Sequence, residues 1–119
     1  MRVCHLGLPV ADQDRSLRFY LAHFGFDSDS ARRFPDGTVI VRDAEGFDLA
    51  LHPVSEVGPA PEFLHFGFRL GSAGEVRALR ARVAGAGVPV IEDCDEPGLV
   101  SFKCTDPDGH RIEVYWEPS

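Results

Sequence analysis

Long apolar runs are missing from this sequence of 119 residues. No window approaches the roughly 18 apolar residues that a membrane-crossing helix requires, and Met1-Arg2-Val3-Cys4-His5-Leu6 is too short in apolar length for a signal sequence. The expected location is therefore the cytoplasm, without a membrane partner. Positive charge is also scarce: 12 Lys and Arg stand against 19 Asp and Glu, for a formal net charge of -7. Eleven of the twelve cations are arginines scattered along the chain. Nucleic acid and anionic membranes both need clustered positive charge, so neither is an expected partner. Cysteine is limited to Cys4, Cys94 and Cys104, which cannot all pair within one chain and form no C-x-x-C arrangement. A disulfide framework and dithiol redox chemistry are excluded, and the three read as reduced, mostly buried thiols.

What the chain does have is an internal repeat. Displaced by sixty residues, Val3-Cys4-His5-Leu6-Gly7-Leu8 lies over Phe63-Leu64-His65-Phe66-Gly67-Phe68, and both read apolar, apolar, His, apolar, Gly, apolar. A helix follows each strand. Asp12 or Asp14 can cap the first, with Gly25 stopping it; Ser72 can cap the second, with Gly85 and Gly87 ending it. Strands are then expected at 26–34, 38–42 and 47–52 in the first half and at 88–93, 99–104 and 110–116 in the second, separated by Gly- and Pro-bearing turns. The order is β-α-β-β-β, twice, an α+β fold. Composition fits one domain, residues 1–119, built from module one (1–53), a proline-bearing linker (54–61) and module two (62–119). A module of about sixty residues is marginal alone, so the two are expected to share a core.

Strand parity separates packing positions from chemical ones, because successive side chains point to opposite faces. Leu6 and Leu8, Leu64 and Phe66, Leu49 and Leu51, and Ile112 and Val114 mark the apolar faces. The opposite faces carry His5, His65, Asp48, His52, Arg111, Glu113 and Tyr115, joined by Ser101 and Lys103 from the preceding strand. His23 and His110 fall elsewhere and read as structural. Two histidines at equivalent repeat positions, each two residues before a glycine, together with a glutamate on the same face, suit a divalent first-row metal. His5, His65 and Glu113 are the expected ligands. Three protein ligands leave coordination positions open for substrate.

These residues resemble the vicinal oxygen chelate superfamily of glyoxalases, bleomycin resistance proteins and extradiol dioxygenases. The resemblance rests on the His5 strand followed by Asp12 and Ser16-Leu17-Arg18-Phe19-Tyr20, on the His65 strand, and on Asp106-Pro107-Asp108-Gly109-His110-Arg111-Ile112-Glu113. It implies a curved, cup-shaped mixed sheet with helices on the convex face. It also implies a divalent ion (Fe, Mn, Zn, Ni or Co) that chelates and polarises an oxygenated small molecule, in lyase, isomerase, transferase or dioxygenase chemistry. Glyoxalase I and methylmalonyl-CoA epimerase carry a fourth ligand in module one, at the place where this chain has Ala50. That departure turns the resemblance toward the extradiol dioxygenases and fosfomycin-modifying transferases. Asp48 and His52, flanking Ala50, are the candidates to replace the missing group as base or longer ligand, and Glu113 counts with them as catalytic. Arg111, Lys103, Tyr115 and Ser101 are the candidates for substrate recognition. The alternative function is sequestration of an antibiotic or other natural product, as in the bleomycin-resistance branch. The resemblance also implies a homodimer whose metal is shared, with His5 from one chain and His65 and Glu113 from the other.

Overall fold

The computed structural model describes residues 1–119. The chain divides into two compact units, Met1–Pro59 and Ala60–Ser119. In the first, β1 (His5–Val10) leads to α1 (Gln13–His23), β2 (Phe26–Arg33), β3 (Val39–Asp43) and β4 (Asp48–Pro53). In the second, β5 (Phe66–Arg69) leads to α2 (Ala73–Gly85), β6 (Val90–Glu96), β7 (Leu99–Thr105) and β8 (Arg111–Trp116). Each unit makes its own four-stranded mixed sheet, in the orders β1-β4-β3-β2 and β5-β8-β7-β6. In each, the first strand pairs in parallel with the last, and the other pairs are antiparallel. No helix is long and apolar enough to cross a membrane.

Local chemistry sets the helix starts. Asp12 is the N-cap of α1 and accepts the N–H of Arg15 at 3.1 Å. Ser72 caps α2, accepting the N–H of Glu75 at 3.2 Å while its hydroxyl donates to the Glu75 carboxylate. Each cap contributes on the order of 1 kcal/mol. Gly25 and Gly87, with φ of 72° and 83°, take the left-handed conformation that ends both helices.

Strand parity survives in the burial except at Leu64, which is 59% exposed ahead of β5, and at Ala50, which is buried on the opposite face. Val10, Val41, Leu49 and Leu51 are fully buried in the first unit with Tyr20, whose ring meets Phe26 edge-on at 6.1 Å. Val100, Phe102, Cys104, Ile112 and Val114 are buried in the second, with Val76 and Val83 of α2. Burying one such aliphatic or aromatic side chain is worth about 1.5–3 kcal/mol.

Three expectations need correction. The first strands begin later than the repeat suggests, at His5 and Phe66, so His65 precedes β5 rather than lying within it. The cause is Phe63, whose φ of 68° breaks the extended run. In the second half, β6 spans Val90–Glu96 rather than starting at Val88. The thiols are not mostly buried: Cys104 is, Cys94 is half-buried, and Cys4 is exposed ahead of β1. All three are free.

Candidate functional site

The register of the parallel strand pairs makes the modules comparable residue by residue. Gly7 stands opposite Ala50 on β4, and Gly67 stands opposite Glu113 on β8. Ala50 and Glu113 are therefore equivalent, as counting from the preceding turns suggests. His52 and Tyr115, two residues further on, are equivalent by the same register, and so are Asp48 and Arg111, two residues earlier.

Module two assembles a ligand pair. His65 Nδ1 lies 2.7 Å from the carbonyl oxygen of Phe63, which can only accept, so Nδ1 carries the proton. In the neutral ring the Nε2 lone pair is then free, and Nε2 lies 3.4 Å from Glu113 Oε2. Two acceptors at that separation repel unless a proton or a cation lies between them. Donors bound at about 2.0–2.2 Å to one tetrahedral or octahedral ion stand roughly 3–3.5 Å apart, so the pair fits a divalent metal. The Phe63 carbonyl supplies the outer hydrogen bond that commonly orients a metal-binding imidazole.

The segment before His65 is held in an unusual shape. Phe63 has positive φ without being glycine, a conformation that costs on the order of 1–3 kcal/mol. Arg111 reaches back from β8 and donates to the carbonyls of Pro61 at 2.9 Å and Leu64 at 3.4 Å. Its guanidinium thus steadies the turn that aims His65. Lys103 stands opposite Glu113 in the β7–β8 register and Ser101 opposite Tyr115. The Lys103 ammonium lies 3.4 Å from Glu92, and the Arg69 guanidinium lies over the Tyr115 ring at 5.9 Å. The five expected side chains of β7 and β8 therefore belong to one sheet face with His65.

Glu113 reaches that face by way of a closed turn. The Asp106 carboxylate accepts the N–H groups of Asp108 and His110, both at 2.9 Å, and Gly109 has a φ of 85°. Asp106, Asp108 and His110 also bring potential metal-ligand atoms within 4.8 Å of one another. With Asp106 already committed to the backbone, the geometry serves the turn.

Module one carries a different constellation. His5 Nδ1 is 3.8 Å from Asp48 Oδ2, beyond a hydrogen bond but within electrostatic reach. Asp48 is tied to Arg42, whose Nε donates to Oδ1 at 2.7 Å, and this bond chiefly holds the Asp48 carboxyl below its ordinary range. That weakens Asp48 as a base and suits it to an orienting role beside His5. A cavity of about 220 Å³ adjoins the pair, lined by Asp29, Ser30, Arg32, Ile40, Arg42 and Asp48. The His52 ring leans over Gly7, where a Cβ would come within 3.1 Å of its Nε2. Arg42 and Thr38 were not among the sequence candidates. Arg42 could have been found by extending strand parity from Asp48 to its register partner on β3, whereas no sequence signal marks the Phe63 turn.

The chain is similar to several known proteins in sequence and fold. A probable trivalent organoarsenical cleaving enzyme of Bacillus subtilis is 27% identical over 123 residues, covering 100% of this chain and 82% of that protein. A possible glyoxalase from Bacillus cereus superposes with a TM-score of 0.79 at 29% identity, covering 96% of this chain and 97% of the other. A fosfomycin resistance protein from Listeria monocytogenes shares the fold, with a TM-score of 0.81 at 18% identity over 96% of this chain and 91% of that one. The family model matches residues 2–114, and the chain belongs to the Glyoxalase/Bleomycin resistance protein/Dioxygenase superfamily.

Proposed function

We propose that the chain is a metal-dependent enzyme for a small oxygenated molecule, with one divalent ion held by His65, Glu113 and His5. The observation that carries this reading is the His65–Glu113 pair: a proton-fixed imidazole presents its lone pair to a carboxylate 3.4 Å away. Such an ion supplies Lewis acidity to oxygen atoms of the substrate. The chain's own residues supply orientation. The Phe63 carbonyl fixes the His65 tautomer, Arg111 braces the turn, and Lys103 and Tyr115 offer a cation and a hydroxyl on the same face for a substrate oxygen.

The substrate proposed is oxygenated rather than arsenical. Trivalent arsenic is thiophilic, and a chelate needs neighbouring thiols. In module two Cys94 pairs with Ser101, three residues from Cys104 on β7, which spaces those positions about 10 Å apart. Burial also raises the Cys104 thiol to about 11, so it stays protonated near neutrality.

Elemental analysis of protein purified without chelator tests the reading. About one equivalent of Fe, Mn, Zn, Ni or Co per chain is expected, falling sharply in His5→Ala, His65→Ala and Glu113→Ala. Normal loading in any two of these variants overturns the site. We further propose that the site is shared in a homodimer, His5 coming from one chain and His65 and Glu113 from its partner. Mixing His5→Ala with Glu113→Ala should then restore roughly a quarter of the metal sites after random subunit exchange. No recovery after verified exchange would show that each chain builds its own site.

A further inference from the structure

The cavity beside His5 and Asp48 owes its shape to a break in strand pairing. β2 departs from β3 between Asp27 and Arg32, where four residues of β2 face only Val41. Bulges of this kind re-aim side chains at the rim of a sheet. The Ser30 hydroxyl spans the gap: it accepts the Arg42 N–H at 2.8 Å and donates to the Asp27 carbonyl at 2.6 Å, while Asp27 Oδ1 accepts the Asp29 N–H at 2.9 Å. Between these strands lies the cavity of about 220 Å³, where Arg32, Arg42, Asp29 and Asp48 surround a half-buried Ile40. Arg32 stands opposite Ile40, and Arg42 is two residues further along β3. The two arginines are therefore diagonal neighbours on one face, roughly 7–8 Å apart at their origins and within reach of each other's ligands.

Only part of this charge is matched within the chain. Arg42 gives its Nε to Asp48 at 2.7 Å, which neutralises Asp48 and leaves the Arg42 Nη groups without a partner in the protein. Arg32 makes no ion pair or side-chain hydrogen bond, whereas its neighbour Arg33 points to the other face and donates to Gln13. The planar fork of a guanidinium matches the two oxygens of a carboxylate. A second negative charge on the ligand would face Asp29 and the clamped Asp48, so the lining suits a monoanion. Ile40 adds apolar contact for the hydrocarbon next to the acid group.

We propose that this cavity is a carboxylate subsite, in which Arg32 and the Nη groups of Arg42 hold the acid group of a small organic molecule. That the acid belongs to the substrate rests on the reading that His5 binds the ion; the subsite itself does not. His5, Asp48 and Arg42 stand in line across β1, β4 and β3, which separates Arg42 from His5 by about 10 Å of backbone spacing. The substrate therefore carries its chelating oxygens at one end and its carboxylate at the other, with a short chain or one ring between them.

Titration of the ¹⁵N-labelled full chain with benzoate tests the subsite, in chelator-treated protein because an ion would itself take up carboxylate. The amide resonances of Ser30, Ile40 and Arg42 should move with benzoate and stay still with benzamide, its neutral isostere. Arg32 is exposed, so its variants should keep the fold. Arg32→Gln should weaken benzoate binding about fivefold or more, and Arg32→Lys should recover only part of the loss because it lacks the fork. Asp29→Asn should tighten binding a few-fold by removing a like charge. Phenylphosphonate, as the dianion, should bind more weakly than benzoate. Benzoate affinity unchanged in Arg32→Gln, or an equal response to benzamide, overturns the subsite. Tighter binding of phenylphosphonate overturns its assignment to carboxylates. Arg32→Gln purified without chelator should carry as much metal as wild type, so this test and the metal assignment of His5, His65 and Glu113 fail separately.

Discussion

The two modules share one backbone plan and have put different chemistry on it. Where module two has Glu113 opposite its glycine, module one has Ala50, and where module two has Arg111 bracing a turn, module one has Asp48 clamped by Arg42. The residue leaning toward the glycine is Tyr115 in one and His52 in the other. Duplication therefore preserved what the sheet needs, which is parity, register and a glycine beneath a large side chain. It left the exposed face free to diverge, because substitutions there do not disturb the apolar packing on the helices. On the proposed reading module two supplies two ligands of the ion, His65 and Glu113, and module one supplies the third, His5.

The largest expected effect breaks that division directly. Glu113→Ala should reduce metal affinity at least tenfold, whereas Ala50→Glu would give module one the carboxylate it lacks. Ala50 is 1% exposed, so the new glutamate should cost about 2–3 kcal/mol in metal-free protein and recover stability when Ni or Co is added. Denaturant melts with and without metal read both effects. A stability loss unaffected by metal would show that position 50 does not reach the ion.

The glycines give the next contrast. A Cβ at Gly67 would come within 3.1 Å of the Glu113 carbonyl, which is backbone and cannot move without disturbing the parallel pair. Gly67→Ala should therefore cost about 2 kcal/mol and weaken metal binding. At Gly7 the same atom would meet only the His52 ring, which can rotate, so Gly7→Ala should change stability by less than about 0.5 kcal/mol while displacing His52. Equal losses in urea melts would erase the distinction.

A smaller effect is expected at Phe63. Phe63→Gly removes the strain of positive φ and should stabilise the fold by about 1 kcal/mol, while loosening the carbonyl that fixes His65 and weakening metal binding a few-fold. Calorimetry and metal titration should move in opposite directions.

The smallest effect belongs to Asp48. Its folded pKa is depressed, so its stabilising contribution is present above the ordinary value of 3.8 and is lost as pH falls through the lower folded value. Asp48→Asn should be less stable than wild type near neutrality, the gap closing in acid. Arg111 carries no such acid-labile partner, so Arg111→Lys should lower stability by a similar amount at every pH. A pH-independent gap for Asp48→Asn would remove the Arg42 bond from the account.

The sequence by itself determined the duplicated β-α-β-β-β order, the helix caps at Asp12 and Ser72, and the strand positions of His5 on β1 and Glu113 on β8. These follow from local rules: alternation along a strand, capping chemistry, and the repeat that makes one half a check on the other. Tertiary structure alone decided how those side chains are used. The positive φ at Phe63 sits between two long-range bonds, Arg111 gripping the carbonyls of Pro61 and Leu64 some fifty residues earlier in the chain. The coupling of Asp48 to Arg42 and of His52 to Thr38 required the β3–β4 register. A side chain's protonation, tautomer and aim depend on partners brought together only when strands pair, and no periodicity in the sequence records which partner each group will find.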